Sequence, residues 1–239
     1  MSTDGSLWCV VPAAGVGERF GSATPKQYAM VNGQAVLWHT LRRLGSHPSI
    51  AGMVLVLAAD DELWRDHLGN AGDADHPTSR PVHLAIGGYT RADSVLAGLE
   101  AVPPEVGPDD FVLVHDAARP CVRHEDISRL IDEVGDGDGG LLATPLGDTL
   151  KRADLQQCVA ATEPREAYWR AQTPQMFRRG ALTAALSAAR VAGMAITDES
   201  MAMEHAGVAP RLVAGSEDNI KITHRVDLVV AGYLLENEA

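Results

Sequence analysis

The fold is decided by the stretch Leu7-Trp8-Cys9-Val10-Val11-Pro12-Ala13-Ala14-Gly15-Val16-Gly17, in which an apolar run leads directly into a turn of small residues. The run from Leu7 to Val11 is rich in β-branched residues and indicates a buried strand. The small residues after it let backbone N–H groups come close to an anion. The pattern therefore predicts a strand followed by a phosphate cradle shaped by Gly15 and Gly17, although the two glycines alone would also suit an ordinary tight turn.

The rest of the chain repeats this alternation of strands and helices. Apolar runs that indicate buried strands recur at 53–57, 82–86 and 111–114. The helical spacing of apolar residues lies between and after them, at 92–99, 127–134 and 226–233. Strands that are apolar throughout belong to parallel sheets covered on both faces. We predict a single α/β domain over residues 1–239, a Rossmann-like three-layer sandwich with a mostly parallel sheet.

One segment does not fit this core. Residues 148–162 form two short polar strands with too little apolar surface to be stable alone. We expect this segment to be a protruding β-arm that packs on a second subunit.

Composition and charge exclude several classes of function. The chain has 239 residues and a net charge of -12, so it lacks the broad basic surface of a nucleic-acid or anionic-membrane binder. No apolar run approaches the ~18 residues of a membrane span, and the first residues lack the basic segment of a signal peptide. Three cysteines with no paired spacing indicate reduced thiols. We expect a cytoplasmic protein.

Candidate binding residues follow the strands, because ligands of open α/β sheets bind at the carboxyl ends of the strands. Two cations, Arg19 and Lys26, follow the first loop and suit a triphosphate. Of the 20 basic residues only Lys26, Lys151 and Lys221 are lysines, which is either chance or a mark of sites that need a compact ammonium. The dinucleotide fingerprint fails because Phe20 replaces its third glycine, and no Walker pattern is present.

Two later loops complete the candidate site. The loop before the helix at 92–99 carries Gly88, Tyr89, Arg91 and Ser94, which suit a base edge, a ribose or a phosphate, or merely cap the helix. Asp116, after the strand at 111–114, is a candidate for Mg²⁺ ligation, directly or through water, for binding a hydroxyl, or for capping a helix.

Seven motifs occur in order along nearly the whole chain: PAAGxGxR with a downstream PKQY, GGxxRxxSV, VHDAARP, DTxKR, TPQxF, ITDE and DNIKIT. Together they resemble the 2-C-methyl-D-erythritol 4-phosphate cytidylyltransferase family. The resemblance implies an enzyme that transfers CMP from CTP to the methylerythritol phosphate, giving 4-diphosphocytidyl-2-C-methyl-D-erythritol and pyrophosphate in isoprenoid precursor synthesis. It also implies a homodimer with exchanged arms that requires Mg²⁺ or another divalent cation.

The resemblance assigns roles residue by residue. It makes Arg19 and Lys26 the catalytic residues that stabilise the transition state. It places around CTP the small and polar residues of the three loops, which are Pro12, Ala13, Ala14, Gly15, Gly17, Gly88, Tyr89, Arg91, Ser94, Asp116 and Ala117. It places around the sugar phosphate Arg119, Thr149, Arg165, Thr173, Thr197 and Lys221. Some members carry an acidic residue at the position of Tyr89, so side-chain selection of cytosine there is in doubt.

Three alternatives remain open from the sequence. The first is a cytidylyltransferase for another polyol phosphate, such as ribitol 5-phosphate, which would share the CTP loops. The second is a regulatory protein that binds a nucleotide without turnover and does not need Lys26, Arg165 or Lys221. The third, an NAD-linked oxidoreductase, is disfavoured by Phe20.

Overall fold

The computed structural model describes residues 7–15, 20–21, 24–68 and 76–237. Its centre is a seven-stranded sheet in the order β11-β7-β10-β6-β1-β4-β5, with two small two-stranded sheets beside it. The strands are β1 (Leu7–Pro12), β2 (Met30–Val31), β3 (Gln34–Ala35), β4 (Ile50–Leu57), β5 (Val82–Ile86), β6 (Phe111–Val114), β7 (Gly140–Pro145), β8 (Leu150–Ala153), β9 (Val159–Glu163), β10 (Trp169–Arg178) and β11 (Arg211–Ala214).

Seven α-helices accompany the strands in the described part of the chain. They are α1 (Val36–Gly45), α2 (Leu63–Leu68), α3 (Arg91–Glu100), α4 (His124–Val134), α5 (Arg179–Val191), α6 (Glu199–His205) and α7 (Arg225–Glu236). Buried residues of alternate faces of β1 belong to two separate core clusters, one with α1 and α4 and the other with α3 and α5. The predicted three-layer α/β sandwich is confirmed. None of these helices is long and apolar enough to cross a membrane.

The sheet is parallel except at β10, which runs antiparallel to both of its neighbours. Gln175 of β10 is paired with Val114 of β6 on one side and with Leu141 of β7 on the other. All other neighbouring strands in the sheet are parallel. The prediction of a mostly parallel sheet is therefore correct. The chain runs through β10 in the direction opposite to that of the other strands.

Helix α3 lies very close to the sheet because of Gly98. A Cβ atom at this position would lie 2.4 Å from Cγ1 of Val10 and 2.8 Å from Cγ2 of Val56. Only a glycine allows the helix backbone to rest on β1 and β4 at this distance. The N-terminus of α3 is thereby fixed relative to the loop that follows β1.

Two apolar features are exposed in the single chain. Helix α7 forms where its spacing predicts it, but the residues that define that spacing face outward: Val226, Val229, Val230 and Tyr233. Strands β8 and β9 pair as an antiparallel hairpin within the predicted arm, and Leu155 between them is 98% exposed. The hairpin itself is as expected, and its role in dimerisation stays a prediction.

Candidate active site

A cavity of about 200 Å³ opens at the carboxyl ends of β1, β5 and β6. It is lined by the loops that follow these strands and by two lysines from more distant segments. The lining residues are Pro12, Ala13, Ala14, Gly15, Lys26, Gln27, Gly88, Tyr89, Thr90, Arg91, Ser94, Asp116, Ala117, Ala118 and Lys221. Every residue assigned to CTP from the sequence therefore lies here, apart from Gly17, which is outside the described residues together with the catalytic candidate Arg19.

The loop after β1 is held to the body of the protein by backbone and amide groups. The amide nitrogen of Ala13 donates to the carbonyl of Val56 at 2.8 Å, and Nε2 of buried Gln27 donates to the carbonyl of Ala13 at 2.7 Å. Lys26 begins a short 3-10 turn, and its Nζ donates to the carbonyl of Ile222 at 3.0 Å. Its ammonium is thus tethered at the edge of the cavity.

The loop before α3 owes its shape to a helix cap. The side chains of Thr90 and Asp93 form a capping box at the start of α3. The hydroxyl of Ser94 donates to the carbonyl of Thr90 and accepts from the amide of Gly88, at 3.0 and 3.2 Å. A Cβ atom at Gly88 would lie 2.4 Å from Cβ of Asp93, so the loop requires a glycine there. Tyr89 is fully exposed at its tip.

Asp116 is the centre of the charge network. Its Oδ1 contacts the guanidinium of Arg91 at 3.1 Å, and its Oδ2 contacts Lys221 Nζ at 2.9 Å and Arg119 Nε at 3.2 Å. Burial by itself would raise the pKa of Asp116. The attraction of Arg91, Lys221 and Arg119 outweighs burial and holds that pKa far below its usual range, so the carboxylate is ionised.

Sequence reasoning missed Glu199, which pairs with Arg91 from the other side. The Glu199 carboxylate is fully buried and accepts from Nη1 and Nη2 of Arg91 at 2.6 and 3.2 Å. Burial would lower the pKa of Arg91, but Glu199 and Asp116 together raise it instead. Glu199 lies in the ITDE motif, from which only Thr197 had been selected.

A buried chain of hydrogen bonds supports the backbone of Asp116. The amide of Asp116 donates to Oγ1 of Thr173, which is 3.0 Å from Nδ1 of His115. Nε2 of His115 lies 3.0 Å from the carbonyl of Arg119, which can only accept, so we assign the proton to Nε2. Burial lowers the pKa of His115 to about 4, which keeps the ring neutral. Thr173, assigned to the sugar phosphate, contacts these supporting groups.

A second cavity of about 300 Å³ adjoins the first and shares Lys221 with it. Arg119, Thr144, Arg170 and Gln172 are among the residues that line it. Of the residues assigned to the sugar phosphate, Arg119 and Lys221 therefore lie at this cavity.

Three other sugar-phosphate candidates are exposed and line neither cavity: Thr149, Arg165 and Thr197. Arg165 lies just beyond β9, where its guanidinium donates to the carbonyl of Gly147. The oxygen of the Thr197 hydroxyl is 3.5 Å from Sδ of Met201. Thr149 and Arg165 can therefore contact a substrate only if the arm reaches one of these cavities, either in the same chain or in a second subunit.

The residues at the cavity do not fit a resident metal ion bound directly by Asp116. Both carboxylate oxygens already face cations, and a divalent ion would have to displace them or share them. Within the described ranges no group of three or more histidine, cysteine, aspartate or glutamate side chains is arranged to hold a metal.

The Rossmann-like sheet, the small-residue loop after β1 and the lysines around one cavity define a nucleotidyltransferase. The model of the 2-C-methyl-D-erythritol 4-phosphate cytidylyltransferase family matches residues 7–237. The chain belongs to this family.

Individual relatives agree with the family match. The protein of that name from Stenotrophomonas maltophilia (strain R551-3) is 51% identical over 236 residues, covering 98% of both chains. A crystal structure of a 4-diphosphocytidyl-2C-methyl-D-erythritol synthase has a TM-score of 0.80 at 33% identity, covering 96% of this chain and 98% of the other. The Francisella tularensis enzyme has a TM-score of 0.78 at 33% identity, covering 96% and 99%.

Proposed function

We propose that the first cavity binds CTP, that the second binds 2-C-methyl-D-erythritol 4-phosphate, and that CMP is transferred between them. The products are 4-diphosphocytidyl-2-C-methyl-D-erythritol and pyrophosphate, in the non-mevalonate route to isoprenoid precursors. The observation that carries this assignment is the position of Lys221, which lines both cavities and whose ammonium contacts Asp116 at 2.9 Å. A cation shared by two anionic substrates lowers the repulsion between them as they approach.

The chemistry needs positioning and charge neutralisation. A phosphate oxygen of the sugar attacks the α-phosphorus of CTP in line, a new P–O bond forms, and the bond to the pyrophosphate leaving group breaks. The nucleophile is already an anion, so no general base is required. Lys26 at the edge of the CTP cavity, together with Arg19, which lies outside the described residues, stabilises the charge that develops on the phosphate oxygens.

The divalent cation enters as part of the substrate. The phosphate oxygens of CTP are the hard ligands that Mg²⁺ prefers, and Mg²⁺ keeps several of its waters when it binds with a nucleotide. Asp116, surrounded by three cations, would accept a hydrogen bond from a substrate hydroxyl or from a water carried by such an ion, and would not need to ligate the metal directly.

The working form is a homodimer in which the β8–β9 hairpin reaches the partner's site. The exposed Leu155 and Val159 of the hairpin, and the exposure of Arg165 away from both cavities, support this arrangement. The three free cysteines suit the reducing cytoplasm, where we place the enzyme.

Pyrophosphate release tests the substrate assignment. Purified protein is mixed with each nucleoside triphosphate, Mg²⁺ and either 2-C-methyl-D-erythritol 4-phosphate or ribitol 5-phosphate, with the Lys26→Ala variant as the blank. We expect release only with CTP and the methylerythritol phosphate. Equal rates with ribitol 5-phosphate would overturn the sugar assignment, and no release above the blank would overturn the function.

A further inference from the structure

Glu199 is a buried acid that the proposed chemistry does not use. It is the first residue of α6 and has no exposed surface, yet its carboxylate meets a cation that lines the CTP cavity. Both of its oxygens accept from Arg91, at 2.6 and 3.2 Å. An ionised group is expensive to bury unless it is paired, so this carboxylate and Arg91 depend on each other.

The backbone on both sides of Glu199 is fixed by contacts that do not involve Arg91. Asp198 caps α6 by accepting from the amide of Met201 at 3.0 Å, and Gln175 of β10 donates to Asp198 at 2.9 Å. Oε1 of Gln175 also accepts from the amide of Ser200 at 2.7 Å. The residues on both sides of Glu199 are thus tied to the sheet, which makes Glu199 the fixed member of the pair.

Arg91 is held between two carboxylates. Its side chain is 27% exposed towards the cavity, with Glu199 on one side and Oδ1 of Asp116 on the other. Two planar carboxylates on one guanidinium define its orientation, because the donors of arginine point in fixed directions. With Glu199 neutral, Arg91 would keep Asp116 as its only charged partner and could turn towards the triphosphate.

We propose that Glu199 is a positioning residue of the nucleotide site, which holds Arg91 against Asp116 and thereby fixes the carboxylate that faces the substrates. The proposal rests on the proposed function, because its effect is read in turnover. Glu199 itself touches no substrate and acts only through Arg91.

A double-mutant cycle tests this dependence. Glu199→Gln, Arg91→Ala and the double variant are compared by kcat and KM for CTP, with Glu204→Gln, an exposed acid of the same helix, as a matched control. We expect Glu199→Gln to lower kcat/KM for CTP by about 10- to 100-fold and Glu204→Gln to change it by less than about threefold. The double variant should match Arg91→Ala within about twofold, because Glu199 has no effect once Arg91 is absent.

Further variants keep the test decisive if Glu199→Gln does not fold. The double variant leaves no unpaired buried charge. Glu199→Asp keeps the charge, but its side chain is too short to reach both nitrogens of Arg91, so the kcat/KM of Glu199→Asp should lie between those of the wild type and Glu199→Gln. Circular dichroism checks the fold of each protein. The proposal would be overturned if the losses of kcat/KM in the two single variants multiplied in the double variant. It would also be overturned by wild-type kinetics in Glu199→Asp, or by equal losses of kcat/KM in Glu199→Gln and Glu204→Gln. An inactive wild-type protein would instead overturn the proposed function.

Discussion

Among single residues, the lysines separate into two groups. Lys26 and Lys221 both line the CTP cavity, whereas Lys151 lies in the hairpin and donates to Oγ1 of Thr162. The other 17 basic residues are arginines. A lysine offers a compact ammonium on a flexible stem, whereas an arginine offers a wide planar fork. Two of the three lysines lie at the cavity, and whether the site needs an ammonium there stays a prediction.

Loss of the catalytic cations should reduce turnover without unfolding the protein. We expect Lys26→Ala and Arg19→Ala each to lower kcat by about 10²-fold or more, because each removes a preorganised donor to a developing oxyanion. Steady-state pyrophosphate release measures kcat. Arg211→Ala, which removes an exposed cation on the edge strand β11, is the control and should retain kcat. A near-normal kcat in Lys26→Ala or in Arg19→Ala would show that the cation removed is assigned wrongly.

Lys221 and Arg165 should differ in which substrate they affect. Lys221→Ala should weaken CTP binding and raise the KM for the sugar phosphate, because Lys221 lines both cavities and its ammonium contacts Asp116. Arg165→Ala should raise only the KM for the sugar phosphate, by several-fold to about a hundredfold. Arg165→Lys keeps the charge but loses the two-pronged geometry, so it should recover only part of this loss.

Calorimetric titration with CTP measures whether each variant, Lys221→Ala or Arg165→Ala, has lost affinity for the nucleotide. Weaker CTP binding by Arg165→Ala, equal to its effect on the sugar phosphate, would contradict the assignment.

The sequence predicted which loop residues lie together but not the distant residues that support them. The residues assigned to CTP could be expected at one edge of the sheet because strand ends and small-residue turns are local signals, and their contact with CTP stays a prediction. Glu199 was missed because an acid at the first position of a helix is an ordinary pattern, and only the folded sheet brings it to Arg91. Thr173 was given to a ligand, but it is bonded to the amide of Asp116 and lies beside His115.

Among secondary-structure elements, β10 connects the arm to the active site. It begins at Trp169, next to the exposed hairpin region, and continues through buried Thr173 and Gln175 into the core. Its antiparallel direction depends on pairing with strands far away in the sequence, which a local pattern does not encode. The helical spacing in α7 predicted the helix but not which way its apolar face points, since periodicity gives a face and not its partner.

Mixing two impaired variants tests whether the arm crosses between subunits. Lys26→Ala and Arg165→Ala proteins are unfolded together, refolded and assayed at a sugar-phosphate concentration far below the KM of Arg165→Ala, where each variant alone has little activity. If Arg165 serves the partner's site, half of the dimers carry one intact site each, so about a quarter of wild-type activity should return. Each variant refolded alone is the control. No recovery in a sample that sedimentation shows to be dimeric would place Arg165 in the site of its own chain.

For the whole molecule, two buried histidines tie stability to pH. Burial lowers the pKa of His115 and of His47 to about 4, from the ordinary value of 6.5. Between about pH 6.5 and 4 the unfolded chain therefore binds protons at these sites that the folded protein does not. The free energy of unfolding should therefore decrease as the pH is lowered through this window, by up to about 1.4 kcal/mol per pH unit for each histidine.

Urea unfolding at several pH values between 7.5 and 4.5 measures this slope. The His47→Asn variant should lose part of this slope and not all of it, because the pKa of His115 and that of half-buried His39 are also lowered. An unfolding free energy that stays constant from pH 7 to 4.5 would show that these rings are protonated equally in both states. Any contribution of Asp116 appears only at lower pH, since its ordinary value is 3.8.

The glycine at position 98 determines how far helix α3, and with it one wall of the nucleotide site, lies from the sheet. It lies on the far end of α3 from Arg91 and Ser94, in contact with no substrate, yet it determines how near the whole helix stands to β1 and β4. Tyr89 lines the cavity from an exposed loop tip, so a substitution there would change the cavity without disturbing the core. A larger residue at position 98 would instead push the helix away from β1 and β4 and move Arg91 and Ser94 with it, so a residue remote from the chemistry determines the width of the nucleotide site.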